Sequence, residues 1–122
     1  DINDNHGHQT GDKVLHDLAL CIEDNIRKTD SVGRYGGEEF LVILPETAAE
    51  QACELADRIR IAVEAMTLTN DIIITCSIGV ATISRGISDD GLISQADKAL
   101  YKAKNAGRNQ VVSYTKKIAN EA

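Results

Sequence analysis

The fold of this chain is decided by the stretch Gly36-Gly37-Glu38-Glu39-Phe40-Leu41-Val42-Ile43-Leu44-Pro45. Its paired glycines allow the positive φ values of a tight hairpin turn. Residues 40–44 form a continuous apolar run, which is typical of a strand covered on both faces, and Pro45 ends it. Residues 30–35 precede the turn as a short partner strand. The stretch therefore predicts a hairpin with an acidic tip that leads into a buried strand.

Three helices are predicted around this hairpin, because apolar residues recur at steps of three and four along each of them. The first spans residues 10–27, with Thr10 or Gly11 as its N-cap. The second begins at Thr47, and the third spans residues 92–105. The positions expected to be buried on the second and third helices are Ala52, Leu55, Ile59, Ala62 and Met66, and Leu92, Ala96, Ala99 and Ala103.

Two more strands complete the pattern. Residues 71–81 are predicted to form a long strand, because apolar side chains occupy every second position in its interior. Residues 86–91 form a loop, Gly107 ends the third helix as a C-cap, and residues 111–112 form a last short strand. The alternating residues of the long strand are Ile72, Ile74, Cys76, Ile78 and Val80.

The resulting order of elements, α-β-β-α-β-α-β, indicates an α/β (α+β) fold. One strand in front would turn the first six elements into the β-α-β-β-α-β unit of ferredoxin-like folds, in which helices flank a central antiparallel sheet. That first strand is central, and a sheet without it exposes two rows of unpaired backbone groups. We therefore expect the natural domain to begin upstream of Asp1, with residues 1–115 as part of it and residues 116–122 as a polar tail.

Composition and charge exclude several classes of function. The 122 residues suffice for one domain, and 13 Lys and Arg against 19 Asp and Glu give a net charge of −6. A chain this acidic is poorly suited to bind a nucleic-acid polymer, since that affinity comes from neutralising many phosphates. Two or three local cations would still suffice for a small phosphorylated ligand. No apolar run approaches the roughly 18–20 residues that span a bilayer, so we expect no direct membrane contact by this domain, although a membrane anchor in the parent protein stays open. The three scattered cysteines suit small buried side chains in a reducing cytoplasm, so we expect a cytoplasmic domain.

The tip of the hairpin is the first candidate site. Gly36 and Gly37 let a phosphate approach the backbone closely, and Glu38 and Glu39 supply the hard oxygen ligands that Mg²⁺ prefers. The alternative is an ordinary hairpin with a solvated acidic tip. The apolar strand that follows weakens this alternative, since it holds the hairpin against the core of the sheet.

The polar segment at residues 3–12 is the second candidate. A turn rich in Asn, Gly and Asp ahead of a helix can serve for capping alone. Alternatively, Asn3 and Asp12 bind a nucleobase, because a carboxylate accepts from the paired donors of guanine and an amide donates to an acceptor. His6 and His8 form a metal pair only if a third ligand joins them, which is weak evidence for a metal site.

Lys104 and Arg108, four residues apart at the end of the third helix, are the third candidate. Basic residues there commonly complement the negative end of the helix dipole. They equally suit a phosphate clamp, with Lys as a point charge and Arg as a planar fork. The chain contains neither GxxxxGKS/T nor GxGxxG, so neither standard phosphate-binding loop applies.

Taken together, these segments resemble the GGDEF family of diguanylate cyclases. The resemblance covers the chain up to Tyr114, with four motifs in the order and spacing of the family. The motifs are Ile2-Asn3-Asp4 with Gly7-His8 and Gly11-Asp12; Gly36-Gly37-Glu38-Glu39-Phe40; Ser77-Ile78-Gly79-Val80-Ala81; and Ala96-Asp97 through Gly107-Arg108-Asn109.

The resemblance implies a nucleotidyl-cyclase-like palm fold and a reaction. Two domains of this family meet in antiparallel fashion as a homodimer, each with one GTP and with Mg²⁺ (or Mn²⁺) as Lewis acid. Each 3′-hydroxyl attacks the α-phosphorus of the other GTP, which releases two pyrophosphates and closes cyclic di-GMP. By the resemblance, Asn3 and Asp12 bind guanine, and Gly36 and Gly37 accommodate the phosphates. Glu38 and Glu39 bind the metal and take part in catalysis, with Glu38 indispensable. Lys104 and Arg108 bind the terminal phosphates.

A further match, Arg27-Lys28-Thr29-Asp30, has the RxxD pattern that in the family precedes the hairpin and binds the product as an inhibitor. The fork of Arg27 suits phosphate oxygens or a guanine edge, and Asp30 completes the motif. Arg58 on the second helix is its expected counterpart, bridging from a neighbouring domain. By the resemblance, this site would make cyclic di-GMP an inhibitor.

The chain departs from the family pattern in one respect. The first strand of the family carries a metal-binding Asp, followed by a Phe and a Lys near the nucleotide, and all three would lie before Asp1. We therefore expect little or no cyclase activity from these residues alone. The rival interpretation is a non-catalytic receptor for cyclic di-GMP or GTP, but such receptors usually have damaged hairpins and this one is intact. In the parent bacterial protein, a sensory or receiver domain would precede the cyclase.

Overall fold

The computed structural model describes residues 8–66 and 73–115. Its elements follow the predicted order of helices and strands. They are α1 (His8–Asp24), β1 (Ser31–Gly36), β2 (Glu39–Ile43), α2 (Ala49–Glu64), β3 (Ile78–Val80), α3 (Asp89–Asn105) and β4 (Val111–Ser113).

The four strands pair in two different ways. β1 and β2 form the predicted antiparallel hairpin, in which Val32 lies opposite Val42. β3 and β4 pair in parallel, with Ile78 opposite Val111. Within the described part of the chain, the strands thus form two sheets of two strands each.

One apolar core connects both sheets to the first two helices. Its buried centre consists of Ile22 from α1 with Leu55, Ile59 and Val63 from α2. The side chains that pack around this centre come from both sheets and from the segment before β3, and they include Val32, Phe40, Val42, Ile74, Cys76 and Ile78. The hairpin and the β3–β4 pair therefore share one apolar core with α1 and α2.

The apolar stripe predicted on α2 is largely confirmed. Ala52, Leu55 and Ile59 are buried, whereas Ala62 is only partly so, because Val63 takes the fully buried position one turn beyond Ile59. A helix of 3.6 residues per turn brings the fourth residue onward back to nearly the same face, which favours Val63 over its neighbour.

Helix α1 begins and ends earlier than its periodicity predicts. Because it starts at His8, Thr10 and Gly11 lie inside the helix, and the prediction that one of them is the N-cap is wrong. Gly11 is buried there, and its lack of a side chain suits such a position. The helix stops at Asp24 because the next residue, Asn25, caps it: its Nδ2 donates to the Cys21 carbonyl at 2.8 Å.

Helix α3 begins at Asp89, inside the predicted 86–91 loop. Ser88 is the reason, since its Oγ accepts a hydrogen bond from the Gly91 amide at 3.0 Å as an N-cap. The negative charges of Asp89 and Asp90 in the first turn also interact favourably with the positive end of the helix dipole. At the other end Gly107, with φ of 120°, follows the helix as the predicted C-cap glycine.

The long strand predicted over residues 71–81 is confirmed in its alternation but not in its extent. Residues 71 and 72, and thus Ile72, lie outside the described residues. Ile73 is exposed and Ile74 packs against the core, as a strand requires, yet regular pairing is confined to Ile78–Val80. A ladder can extend only as far as its partner, and β4 has three residues.

Candidate functional site at the hairpin and the end of α3

The hairpin turn has the conformation that its glycines allow. Gly36 pairs with Glu39, so Gly37 and Glu38 form a two-residue loop. Gly37 has a φ of 51° and Glu38 has no positive φ, which is the pattern of a type II′ turn with Gly at its first central position. A register shift between Arg34 and Gly36 marks an irregularity just before the turn.

The side chain of Arg34 stabilises this turn by hydrogen bonds, a role that was not predicted from the sequence. Its Nε and Nη2 atoms both donate to the Gly37 carbonyl, at 2.8 and 2.6 Å. A cation three residues before the second glycine was the available signal in the sequence. The guanidinium therefore fixes the peptide between Gly37 and Glu38.

The surroundings of the turn fit a phosphate and a divalent cation. A Cβ atom built on Gly36 or Gly37 would meet nothing within 4 Å, so the backbone is open to a ligand. Glu38 and Glu39 are both exposed, and carboxylate oxygens are ligands of the kind Mg²⁺ prefers. Among the described residues, no group of three or more His, Cys, Asp or Glu forms a complete metal site.

The cations at the end of α3 sit on an unusual turn. Lys104 is half-buried in the last turn of the helix, and Arg108 is exposed just beyond it. The Arg108 amide donates to the Ala103 carbonyl at 3.0 Å, which is the closing bond of a Schellman motif around Gly107. Arg108 itself has a φ of 64°, which is rare for a residue with a side chain.

The hairpin and the end of α3 belong to parts of the described structure that pack on different elements. In the residues described, α3 packs on β3 and β4, whereas the hairpin packs on α1, and no contact joins α3 to the hairpin. Asp12 is exposed on α1, and Asn3 and His6 lie outside the described residues. A site that combines all three regions stays a prediction, and a triphosphate would have to bridge the space between them.

The Arg27-Lys28-Thr29-Asp30 motif is a compact hydrogen-bonded unit. Asp30, whose side chain is fully buried, accepts from Nε of Arg27 at 2.9 Å, from its Nη2 at 2.8 Å and from its backbone amide at 2.8 Å. The side-chain bond from Arg27 lowers the pKa of Asp30, while the same bond raises the pKa of Arg27. Arg27 also donates to Thr47 Oγ1, yet 48% of its side chain remains exposed.

Arg58 approaches the same segment from α2. Its Nη2 donates to the Asn25 carbonyl at 2.8 Å, two residues before Arg27 in the chain. Two exposed guanidinium groups thus lie at residues 25–30. Arg27 belongs to this segment, and Arg58 reaches it from α2. Both residues were predicted from the sequence, and within this chain they reach the same segment.

Comparison with known proteins agrees with this architecture. Residues 1–110 match the family described as "Diguanylate cyclase, GGDEF domain". The chain belongs to the GGDEF family. None of the helices in the described ranges has the length and apolar character needed to cross a membrane.

Relatives of the GGDEF domain resemble the chain in both sequence and structure. It is 46% identical over 112 residues to "Diguanylate cyclase DgcM" of Escherichia coli, covering 92% of this chain and 27% of DgcM. It is 44% identical over 117 residues to "Response regulator PleD" of Caulobacter vibrioides, covering 91% and 26%. The chain thus spans about a quarter of the length of these curated relatives.

Solved GGDEF domains confirm the fold class. The active GGEEF domain of a diguanylate cyclase from Vibrio cholerae matches with a TM-score of 0.87 and 37% identity, covering 93% of this chain and 74% of that one. The GGDEF domain of DgcB from Caulobacter crescentus, in complex with c-di-GMP, matches with a TM-score of 0.86 and 36% identity, covering 92% and 69%. The resemblance seen in the motifs therefore extends to the three-dimensional arrangement.

Proposed function

We propose that this GGDEF domain makes cyclic di-GMP from two molecules of GTP and releases two pyrophosphates. The observation that carries the proposal is the intact hairpin, in which open glycines adjoin two exposed carboxylates. A module that only bound cyclic di-GMP would not need Glu38 and Glu39 beside an open backbone, whereas phosphoryl transfer with a divalent cation does.

The reaction needs two copies of the domain. In an antiparallel homodimer, the 3′-hydroxyl of one GTP faces the α-phosphorus of the other. A bond forms between that oxygen and the α-phosphorus, the bond to the bridging oxygen of the β-phosphate breaks, and pyrophosphate leaves. Glu38 accepts the hydroxyl proton, and Glu39 helps to hold the cation. Mg²⁺ or Mn²⁺, when bound, supplies Lewis acidity at the phosphate.

Substrate binding is assigned to three regions of the domain. Gly36 and Gly37 let the phosphates lie along the hairpin, because the space beside their backbone is open and neither residue has a side chain to fill it. Lys104 and Arg108 hold the terminal phosphates, the first as a point charge and the second as a fork. The guanine base is assigned to Asn3 and Asp12.

The Arg27-Lys28-Thr29-Asp30 motif is proposed as the inhibitory site for the product. Asp30 accepts hydrogen bonds from Nε and Nη2 of Arg27 and so fixes the orientation of the guanidinium. Its Nη1 has no partner among the described residues and can bind a ligand. Arg58, the expected counterpart that bridges from a neighbouring domain, also lies next to this segment within its own chain. Two forks at one surface suit the phosphates and guanine edges of cyclic di-GMP.

The decisive experiment compares two glutamate variants of the full-length protein, incubated with GTP and Mg²⁺. Glu38→Ala is expected to abolish formation of cyclic di-GMP and pyrophosphate, while Glu54→Ala, an exposed residue of α2, leaves both unchanged. Binding of cyclic di-GMP without any turnover by the unaltered protein would instead establish a receptor. Turnover that survives in Glu38→Ala would refute the assigned role of the hairpin.

A further inference from the structure

The turn after α3 is held in a costly conformation by groups far away in the sequence. Gly107, Arg108 and Asn109 have consecutive positive φ values of 120°, 64° and 47°. Residues with a side chain avoid this region, although Asn tolerates it better than most. Gly107 adopts a positive φ freely, but Arg108 and Asn109 both carry side chains, and two such residues in a row persist there only where the surrounding contacts determine them.

Asn109 supplies the contacts that lock this turn. Its Oδ1 accepts from Nη1 of Arg60 at 3.2 Å, and its Nδ2 donates to Oε2 of Glu64 at 2.9 Å. Its backbone amide donates to Ser77 Oγ at 3.1 Å. The side chain is therefore fastened to α2, while the backbone is fastened to the segment that leads into β3.

The partners of Asn109 are themselves fixed. Nε of Arg60 donates to Oδ1 of Asp57 at 2.8 Å, so the guanidinium is held on the surface of α2 before it meets the turn. Gln110 adds a bond on the other side, from its Nε2 to the Arg108 carbonyl at 3.0 Å. Residues 57, 60 and 64 are spaced three and four apart, so they lie along one face of the helix.

Arg108 is the residue that this arrangement leaves exposed. Its amide is bonded to Ala103 and its carbonyl to Gln110, while the side chain is exposed to solvent. We infer that Asn109 is a positioning residue, which presents the Arg108 guanidinium to the substrate phosphates by anchoring the turn to Arg60 and Glu64 of α2. This inference rests on the proposed role of Arg108 in GTP binding.

A double-mutant cycle on the full-length protein tests the inference. The probe is 3′-deoxy-GTP with Mg²⁺, which lacks the attacking hydroxyl and so reports binding alone. Asn109→Gly removes the side chain without straining the positive φ, and we expect it to weaken binding by about three- to tenfold. In an Arg108→Ala background the same change is expected to have no effect beyond about twofold, because Asn109 acts through Arg108. A purely structural role would weaken binding equally in both backgrounds and would overturn the inference.

A donor–acceptor exchange gives an independent test. Asn109→Asp keeps the acceptor for Arg60 but places a carboxylate against Glu64, so binding of the probe should weaken. Adding Glu64→Gln restores a donor opposite the new acceptor and is expected to recover most of the affinity. Failure of this rescue would count against the Asn109–Glu64 contact as the anchor. Asn105→Gly, the same replacement as Asn109→Gly at an exposed helix end, serves as the control and should leave the affinity unchanged.

The outcomes separate this inference from the proposed function. If Arg108→Ala weakens binding of 3′-deoxy-GTP and Asn109→Gly does not, only the positioning role is wrong. If Arg108→Ala leaves the affinity unchanged, the phosphate-binding role of Arg108 is wrong and the inference fails with it.

Discussion

Gly79 of β3 lies directly against Leu100 of α3. A Cβ atom on Gly79 would come within 2.9 Å of the Leu100 Cα and would overlap the carbonyl oxygen of Ala96. The obstacles are backbone atoms of a helix, which cannot rotate away as a side chain can. Glycine at this position therefore sets how closely α3 approaches the sheet, and through α3 it sets where Lys104 and Arg108 lie.

Gly79→Ala is expected to lower the free energy of unfolding by at least about 2 kcal/mol, since the added methyl group forces the helix and the strand apart. Urea unfolding followed by circular dichroism measures this change. Gly33→Ala is the matched control: a Cβ there meets nothing within 4 Å, so its stability should stay close to that of the unaltered protein. Equal stability of both variants would show that α3 does not depend on this contact.

The contrast between Gly33 and Gly79 shows how much of the fold the sequence could predict. Periodicity indicated the order of the elements, because apolar spacing reflects which face of each element is buried. It could not show that one strand glycine touches a helix backbone while another faces open space, since that depends on packing between distant segments.

The candidate site could likewise be predicted only in part from the sequence. The glycines, the glutamates and the two cations were predicted from residue type and motif. The bonds of Arg34 to Gly37 and of Asn109 to Arg60 and Glu64 were not, because polar side chains of this kind are common on any surface. Only the folded chain brings residues 60 and 109 within hydrogen-bonding distance.

The Arg27–Asp30 pair predicts a pH dependence of stability. Because the pKa of Asp30 is lowered in the folded state, the unfolded chain binds its proton first as the pH falls. The stabilisation is complete above the ordinary carboxyl pKa of about 3.9 and is lost as the pH falls towards the lower folded value. Asp30→Asn should therefore be less stable than the unaltered protein near pH 7, and the difference should shrink below about pH 4.

Urea unfolding of both proteins between neutral and acidic pH measures this difference. Asp97→Asn, at an exposed position of α3, is the control for loss of a carboxylate outside the Arg27–Asp30 pair, and its stability near pH 7 should stay within about 0.5 kcal/mol of the unaltered protein. A stability gap between the Asp30→Asn variant and the unaltered protein that stays constant into the acid range would mean that the ion pair is not its source.

Cys76 should be an unreactive thiol. Burial raises its pKa to about 11, although the charge of Arg60 partly opposes this shift. At pH 8 the thiolate fraction is then on the order of 10⁻³, and the thiolate is the species that reacts. Iodoacetamide labelling, mapped by mass spectrometry, should modify Cys76 far more slowly in the folded protein than in urea. Equal rates in the two states would show that the thiol is open to solvent.

Arg27→Ala is expected to weaken binding of cyclic di-GMP by at least about tenfold, because it removes a charged fork that Asp30 holds in place. Calorimetric titration of the full-length protein with cyclic di-GMP gives the affinity, and assays with GTP should show weaker inhibition by the product. Arg85→Ala removes the same charge from an exposed loop and should bind cyclic di-GMP as the unaltered protein does. If Arg27→Ala and Arg85→Ala bind cyclic di-GMP equally well, the motif only stabilises the connection between α1 and β1 and is not a product-binding site.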